Sequence, residues 1–354
     1  MKRIIKNIIH KILDKRSYRA FINDYQTNTF SLPKSLIKKI NKLGFVADEY
    51  IIYDLEHNDP REYISEYERE KYRRKVAGSF KILLDNKIVF YNMMRGFAPL
   101  NVMYGYKKNS EYVSFGDYDI ADILQEKGKM IFKKTSGGGG HGLILLEYKD
   151  KQYFKNREVC SMEDIHNLLE SENDYLLEEF CYQSDFENKI FPDAVNTIRI
   201  VTLVKESGEV IIIHALQRMG SKLGVCVDNA SEGGIFATIN IKDGTLSTAT
   251  CSHNSSFVTP EGKLMEFSKH PITGAQIEGV VIPNWTNIKD EIINIHKKIA
   301  FTGIPFIAWD IALTNNGFKV IEGNTSCGLE LIQRHKGLRH EELGELYRDF
   351  GIIK

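Results

Sequence analysis

The apolar positions of this 354-residue chain change period along its length. At the N-terminus Ile4, Ile5, Ile8, Ile9, Ile12 and Leu13 form a helical stripe bordered by Lys2, Arg3, Lys6, Lys11, Lys15 and Arg16. Leu36, Ile37, Ile40 and Leu43 repeat that spacing between Pro33 and a stop at Gly44. Asp59-Pro60 predicts the start of a further helix running to Val76, with Glu70 and Arg74 paired at i,i+4. From about residue 100 the period becomes strand-like. Strands are predicted at 130–134, 143–148, 175–180, 197–205, 210–217 and 235–241, and helices from Ser161 and over 288–300. Several strands are joined as hairpins, so the pattern predicts an α+β fold with largely antiparallel sheets.

The most informative interruption of this pattern lies near the C-terminus, in AWDIALTNNGFKVIEGN, residues 308–324. Two apolar runs flank Asn315-Asn316-Gly317, a tight-turn signal, which predicts a β-hairpin. Asp310 and Glu322 lie equally far from Asn316, so a three-residue loop sets them opposite one another. Asn324, two residues on, points to the same face. Two carboxylates this close repel unless a cation lies between them. Hard oxygen donors of this kind suit Mg²⁺, which is commonly shared with substrate phosphates. An exposed hairpin with ordinary surface acids is the alternative. The apolar neighbours favour burial, and buried acids need partners.

Composition narrows the classes. The chain is 42% hydrophobic and 27% charged, ordinary usage for a soluble globular protein. Lys+Arg and Asp+Glu both number 47, so no charge excess points to nucleic acid as a partner. Cys160, Cys181, Cys226, Cys251 and Cys327 show no CxxC spacing, which reads as reduced thiols in a cytoplasmic protein. No uncharged apolar run reaches the length of a membrane span. The Ile-rich N-terminal helix either docks on its own protein or makes peripheral contact with an anionic membrane surface.

A second candidate feature is the run Gly137, Gly138, Gly139, Gly140, His141, Gly142 between two strands. Glycines let a backbone approach phosphate closely and turn its N–H groups toward it. It is not a P-loop, since no GK[ST] closes it and a strand follows. A flexible hairpin tip is the alternative. Lys133 precedes the run on a strand and Lys87 is a second candidate cation. Strand alternation lets only one of Lys133 and Lys134 point inward. Glu178, Glu179 and Phe180 end an apolar strand whose backbone could offer adenine an edge, with Glu187 or Asp185 as a ribose acceptor.

Taken in order, KMIFKKTSGGGGHG, YLLEEF, NTIRIVTLV, HALQRMG, DNASEGG and AWDIAL…VIEGN resemble the ATP-grasp superfamily. The similarity is strongest to its sugar-transfer-associated branch, which HPITGAQIEGVVIPNW also resembles. It covers about Lys87 to Gln333. The resemblance implies the ATP-grasp fold, two α+β lobes with the nucleotide between them, preceded by a helical N-terminal region. The expected divisions are 1–85 helical, 86–182 N-lobe with the glycine loop, and 183–354 C-lobe with the hairpin. It also implies that Lys87 and Lys133 hold phosphates, that Gly137–Gly142 covers them, and that Glu178, Glu179 and Phe180 line adenine. Asp310, Glu322 and Asn324 would bind Mg²⁺. Arg199 and Arg218 match positions facing the transferred phosphate, and Asn229 with Gly233-Gly234 matches a closing loop. The chain departs from the pattern in having Lys133-Lys134 where the family often has Lys-Pro.

The activity so implied is ATP-dependent ligation through an acyl phosphate, its substrates a small-molecule or sugar-linked carboxylate and a nucleophile. The branch suggests surface polysaccharide or sugar-conjugate biosynthesis. A small-molecule kinase or a non-catalytic ATP-binding scaffold would share the same nucleotide residues. His214, His253 and His270 read as structural or substrate-side. Asp310→Ala and Glu322→Ala are both expected to abolish turnover and leave the fold intact.

Overall fold

A capping sequence decides where the N-terminal helices break. Asp59 caps only a 3₁₀ turn, Pro60–Glu62, accepting from the Arg61 N–H. Tyr63 is then extended, and Ser65 with Glu68 forms a capping box that starts the helix Glu66–Lys75. The continuous helix expected from Asp59 is therefore two elements, because Ser65-x-x-Glu68 satisfies the first-turn N–H groups. The Glu70–Arg74 pair is present, at 3.6 Å. This computed structural model describes residues 14–21, 23, 30–108, 111–116, 119–138, 142–225, 227–228, 233–252, 255–258 and 263–353. The isoleucine stripe of residues 4–13 lies outside them. Residues 14–21 dock on the helix Glu66–Lys75 through an Asp14–Lys75 ion pair (2.7 Å) and through Phe21, fully buried beside Tyr67. No helix among the described residues is long and apolar enough to cross a membrane.

Two seven-stranded sheets follow, antiparallel at every pairing. The first runs from edge to edge as Glu111–Ser114 (β2), Met103–Lys108 (β1), Tyr175–Glu179 (β7), Lys129–Lys134 (β3), Ile144–Lys149 (β4), Gln152–Lys155 (β5) and Glu158–Cys160 (β6). The second runs Glu266–Phe267 (β12), Leu246–Cys251 (β11), Ile235–Ile239 (β10), Val210–Met219 (β9), Thr197–Val204 (β8), Phe306–Thr314 (β13) and Gly317–Asn324 (β14). This is the α+β architecture that the hydrophobic pattern predicts.

Alternation sorts each strand between two surroundings. In the first sheet Met130, Phe132 and Leu177 pack with Leu124 and Ile165 of the helices Ile120–Lys127 and Met162–Ser171. Ile131, Lys133, Leu176 and Glu178 take the opposite face. In the second sheet Ile198, Ile200, Ile307 and Trp309 pack with Ile288, Ile292 and Ile295 of the helix Trp285–Lys298. Val201, Leu203, Phe306 and Ala308 face the other way, onto Tyr72, Val76 and the C-terminal Leu343 and Tyr347. That second face is covered along half its length only. Its other half carries Arg199, Asp310 and Glu322, in cross-strand register.

The hairpin reaches this register by a route other than the expected one. Thr314 pairs with Gly317, so the tip is two residues, Asn315-Asn316, and Gly317 takes φ 124°. The register then shifts between Asp310 and Ile311, where Ile311 pairs with Val320 and Asp310 with Glu322. Ile321 is the extra residue of a β-bulge, and the bulge restores the acid pair that the shorter turn would have broken.

The segment before β1 wraps the edge of the second sheet. Leu84, Phe90 and Met94, from the helices Lys81–Asp85 and Lys87–Met94, join the core beneath Ile307 and Trp309. Gly323 permits this approach, since a Cβ there would lie 3.0 Å from Phe90 and 3.3 Å from Leu84. Asn86 caps the helix Lys87–Met94 by accepting from Ile88 and Val89 N–H. Its first residue, Lys87, is thereby held at the rim of the sheet.

Candidate active site

Between the open half of the second sheet and the inward face of the first lies a cleft of about 380 Å³. Ile131, Lys133, Glu178 and Phe180 line one wall, and Thr197, Arg218, Asp310 and Glu322 the other. Its size is that of a small-ligand site. Gly137 and Gly138 border it. Gly142 lies beyond, where a Cβ would crowd the Tyr175 hydroxyl and the Lys134 stem. Gly139, Gly140, His141, Asn229, Ser231, His253 and Cys226 lie outside the described residues.

Both lysines of the pair border the cleft, but in different surroundings. Lys133 is buried and its ammonium pairs with the Glu178 carboxylate across β3 and β7, whereas Lys134 is exposed. Lys87 spans the two walls: its Nζ donates to Gly137 O at 2.8 Å and lies 3.7 Å from Glu322 Oε2. Burial lowers the pKa of Lys87, and Glu322 opposes that shift. Glu322 also accepts from Asn324 Nδ2, at 3.3 Å.

Asp310 is 4% exposed and is held by two guanidiniums. Arg199 grips it through Nε to Oδ1 and Nη2 to Oδ2, both 2.7 Å, and Arg218 Nη1 donates to Oδ2 at 3.0 Å. Burial alone would raise its pKa; Arg199 and Arg218 outweigh burial and hold it below the usual carboxylate range. Arg199 stands behind Asp310 and does not line the cleft, so its contact with the site is through that carboxylate. Asp310→Ala would strand it. That substitution is therefore expected to cost stability as well as turnover.

The oxygen atoms fit a hard divalent cation. Asp310 and Glu322 line the cleft, whereas Asn324 borders the adjoining trench; Asn324 spends Nδ2 on Glu322, leaving Oδ1 as the donor atom. No cluster of three or more His, Cys, Asp or Glu at metal-binding distances occurs among the described residues. Two carboxylates and an amide are few for a protein cage, but suit Mg²⁺, which keeps waters or phosphates as further ligands.

Other expected residues lie elsewhere. Glu187 is fully buried on the helix Asp185–Ile190, accepts from Gln217 Nε2 at 3.1 Å, and does not line the cleft. Burial pushes its carboxyl up to about 8. Asp185 is exposed and also lies off the cleft. Glu179 and Phe180 do line it; Glu179 Oε2 accepts from Val102 N–H at 3.2 Å. His214 and His270 are away from it, and His270 bonds Gly220 O at 2.7 Å. Burial drives the thiols of Cys181 and Cys327 to about 12, so neither is a thiolate nucleophile at neutral pH.

Two residues of the site had no role from the pattern. Asp228 lines the cleft, pairs with Arg218 at 3.1 Å and accepts from Thr197 N at 2.7 Å. It opens the DNASEGG segment, the only signal that pointed to it. Asn101 lines the cleft with Oδ1 buried and without a hydrogen-bond partner among the described residues. A buried acceptor left so is an open place for a ligand N–H or O–H.

The sequence profile described as sugar-transfer-associated ATP-grasp matches residues 64–345. No match was found among curated proteins. Among solved structures, D-alanine–D-alanine ligase from Bacillus anthracis is 12% identical, with 76% of this chain and 66% of that one covered at a TM-score of 0.36. For L-amino acid ligase from Bacillus licheniformis the values are 10%, 71%, 42% and 0.38. For N5-carboxyaminoimidazole synthetase from Staphylococcus aureus, complexed with ADP, they are 10%, 70%, 45% and 0.37. The chain spans about half the length of several of these matched structures.

Proposed function

This chain belongs to the sugar-transfer-associated ATP-grasp family, and from that premise we propose that it is an ATP-dependent ligase. A substrate carboxylate oxygen attacks the γ-phosphorus of ATP; the bond to the β-phosphate oxygen breaks, and ADP leaves with its electrons. An amine or other nucleophile then attacks the acyl carbon, phosphate departs from it, and the nucleophile's proton goes to solvent. One side chain carries the proposal. Lys87 reaches from Gly137 O (2.8 Å) to Glu322 Oε2 (3.7 Å), so a cation bridges the glycine turn and the acidic hairpin over a cleft of nucleotide size.

The cations of the site are held in internal pairs: Lys133 with Glu178, Arg218 with Asp310 and Asp228, Lys87 with Glu322. A triphosphate brings negative charge, and these cations are the groups able to meet it. Lys133 would turn from Glu178 to phosphate, and Arg218 would face the transferred group while Asp228 keeps it oriented. Arg199 acts by positioning Asp310. Asn101 Oδ1 is an acceptor for a base or ribose donor. Mg²⁺, when bound, would be held by Asp310, Glu322 and Asn324 and would neutralise phosphate charge. The family description supports a sugar-conjugate or polysaccharide setting, and the need for ATP a cytoplasmic one.

The test is ADP release by the full chain across amino acids and sugar acids, with Glu322→Gln as the blank. Trapping with hydroxylamine separates ligase from kinase, because an acyl phosphate yields a hydroxamate and a phosphorylated hydroxyl does not. Glu322→Gln releasing ADP at the wild-type rate would overturn the assignment.

A further inference from the structure

A second cavity, of about 360 Å³, lies on the far side of the acidic hairpin, between it and the N-terminal helices. Four cationic side chains line it, Arg16, Arg73, Arg74 and Lys81, against two carboxylates, Glu70 and Asp85. Glu70 is 1% exposed, and Arg69, Arg73 and Arg74 all lie within ion-pair distance of it. Arg69 is held by Glu66, which leaves Glu70 to Arg73 and Arg74, and one carboxylate cannot neutralise two guanidiniums. Lys81 reaches Asp85 only at 3.7 Å and is largely exposed. The pocket is left with an excess of two positive charges, held open toward solvent in a chain whose net charge is zero. An arrangement of this kind favours an anion with several oxygens, because guanidinium forks pair with phosphate through parallel N–H bonds.

The pocket is also connected to the nucleotide site. A trench of about 490 Å³ shares Lys81, Asp85 and Asn324 with it, and shares Gly137, Gly138 and Glu322 with the nucleotide cleft. Its path runs past the residues given to phosphate and Mg²⁺ above. A molecule seated on the arginines therefore has open space leading to the reacting end of ATP. Thr325 and Ser326, just beyond the hairpin, border the basic pocket and add hydroxyl groups.

We propose that this pocket binds the acceptor substrate, a sugar-sized molecule carrying a phosphate or diphosphate group, and directs its reactive group along the trench to Glu322. The proposal rests on the nucleotide reading for the direction of approach. The charge argument for the pocket itself stands apart from it.

The test uses inorganic pyrophosphate as the probe. The full chain is first saturated with ADP and Mg²⁺, and pyrophosphate affinity is then measured by calorimetry. Wild type is compared with the double variant Arg74→Gln, Lys81→Gln, whose native side chains are 39% and 66% exposed, so the fold tolerates the changes. The expected result is at least about a tenfold weakening in the variant, from loss of contacts to charged groups. Arg74→Lys alone should recover part of the affinity, by keeping the charge. Equal affinity in wild type and double variant, or no pyrophosphate binding to the ADP-loaded wild type, would overturn the proposal. Failure of ADP itself to bind wild type would overturn the nucleotide reading, and the wild type–variant comparison would still decide the basic pocket.

Discussion

Replacing Asp310 by alanine removes more than a metal ligand. Its carboxylate receives three charge-assisted hydrogen bonds, two from Arg199 and one from Arg218. The two arginines are not equally exposed to the loss. Arg218 keeps Asp228 at 3.1 Å, whereas Arg199 loses both bonds inside a site where its side chain is 15% exposed. One buried guanidinium is thus stranded, and breaking a buried ion pair in this way costs about 3–5 kcal/mol. Glu322 differs: its side chain is 22% exposed and its cationic contact, Lys87, lies at 3.7 Å. Glu322→Ala should therefore cost less than about 1 kcal/mol. Urea unfolding of the ligand-free proteins measures both. The Asp310 penalty also has a pH signature. A carboxyl whose pKa is lowered by folding contributes stability above its unfolded value, and that stability is lost as pH falls through the folded one. The gap between wild type and Asp310→Ala should accordingly be full at pH 7 and close below about pH 4. An Asp310→Ala midpoint equal to that of wild type at pH 7 would refute the account of Arg199.

Three further outcomes follow from particular contacts. Lys87→Met should weaken ADP binding about tenfold or more while unfolding normally, read by equilibrium titration, because it removes the cation joining glycine turn and hairpin. Gly323→Ala should destabilise by about 1–3 kcal/mol in urea, since the new Cβ meets Phe90 at 3.0 Å. His214 is half-buried, and desolvation there depresses its pKa to about 4, with His335 adding to the shift. The unfolded chain therefore binds a proton that the folded one refuses, and stability falls between about pH 6.5 and 4 by roughly 3 kcal/mol. His214→Leu should flatten that part of the stability–pH curve; an unchanged slope would exclude His214 as its source.

Much of the second lobe could be read from residues alone. Val201 and Leu203 alternate with Ile198 and Ile200 about Arg199, and that period decides which face the arginine shares. Asp310 and Glu322 interrupt apolar runs, so their burial and convergence follow from the pleat. The pairing came out as expected although its route did not. Turn preference suggested a three-residue loop, whereas a two-residue tip and a bulge at Ile321 produce the same pair. Bulges have no residue code, because they answer to packing on both sides of the strand. Helix limits at residues 59–76 were misjudged for a related reason: two good caps compete there, and only the second is followed by a face that can pack.

What local pattern determined, then, was the antiparallel α+β architecture, the acidic hairpin and a glycine turn beside a lysine, since each depends on neighbours a few positions apart. Tertiary structure alone decided the rest. Lys133 and Lys134 both border the cleft, but only the placement of Glu178 on β7 gives Lys133 a buried partner there. Asn101 and Asp228 have no periodicity to mark them, and they enter the site because two sheets meet there. The basic pocket joins Arg16, Arg73 and Arg74 to Asn324 and Ser326, from opposite ends of the chain. Glu70, Arg73 and Arg74 are neighbours on one helix, and folding adds Arg16, Lys81 and the end of the hairpin, which no stretch of sequence contains.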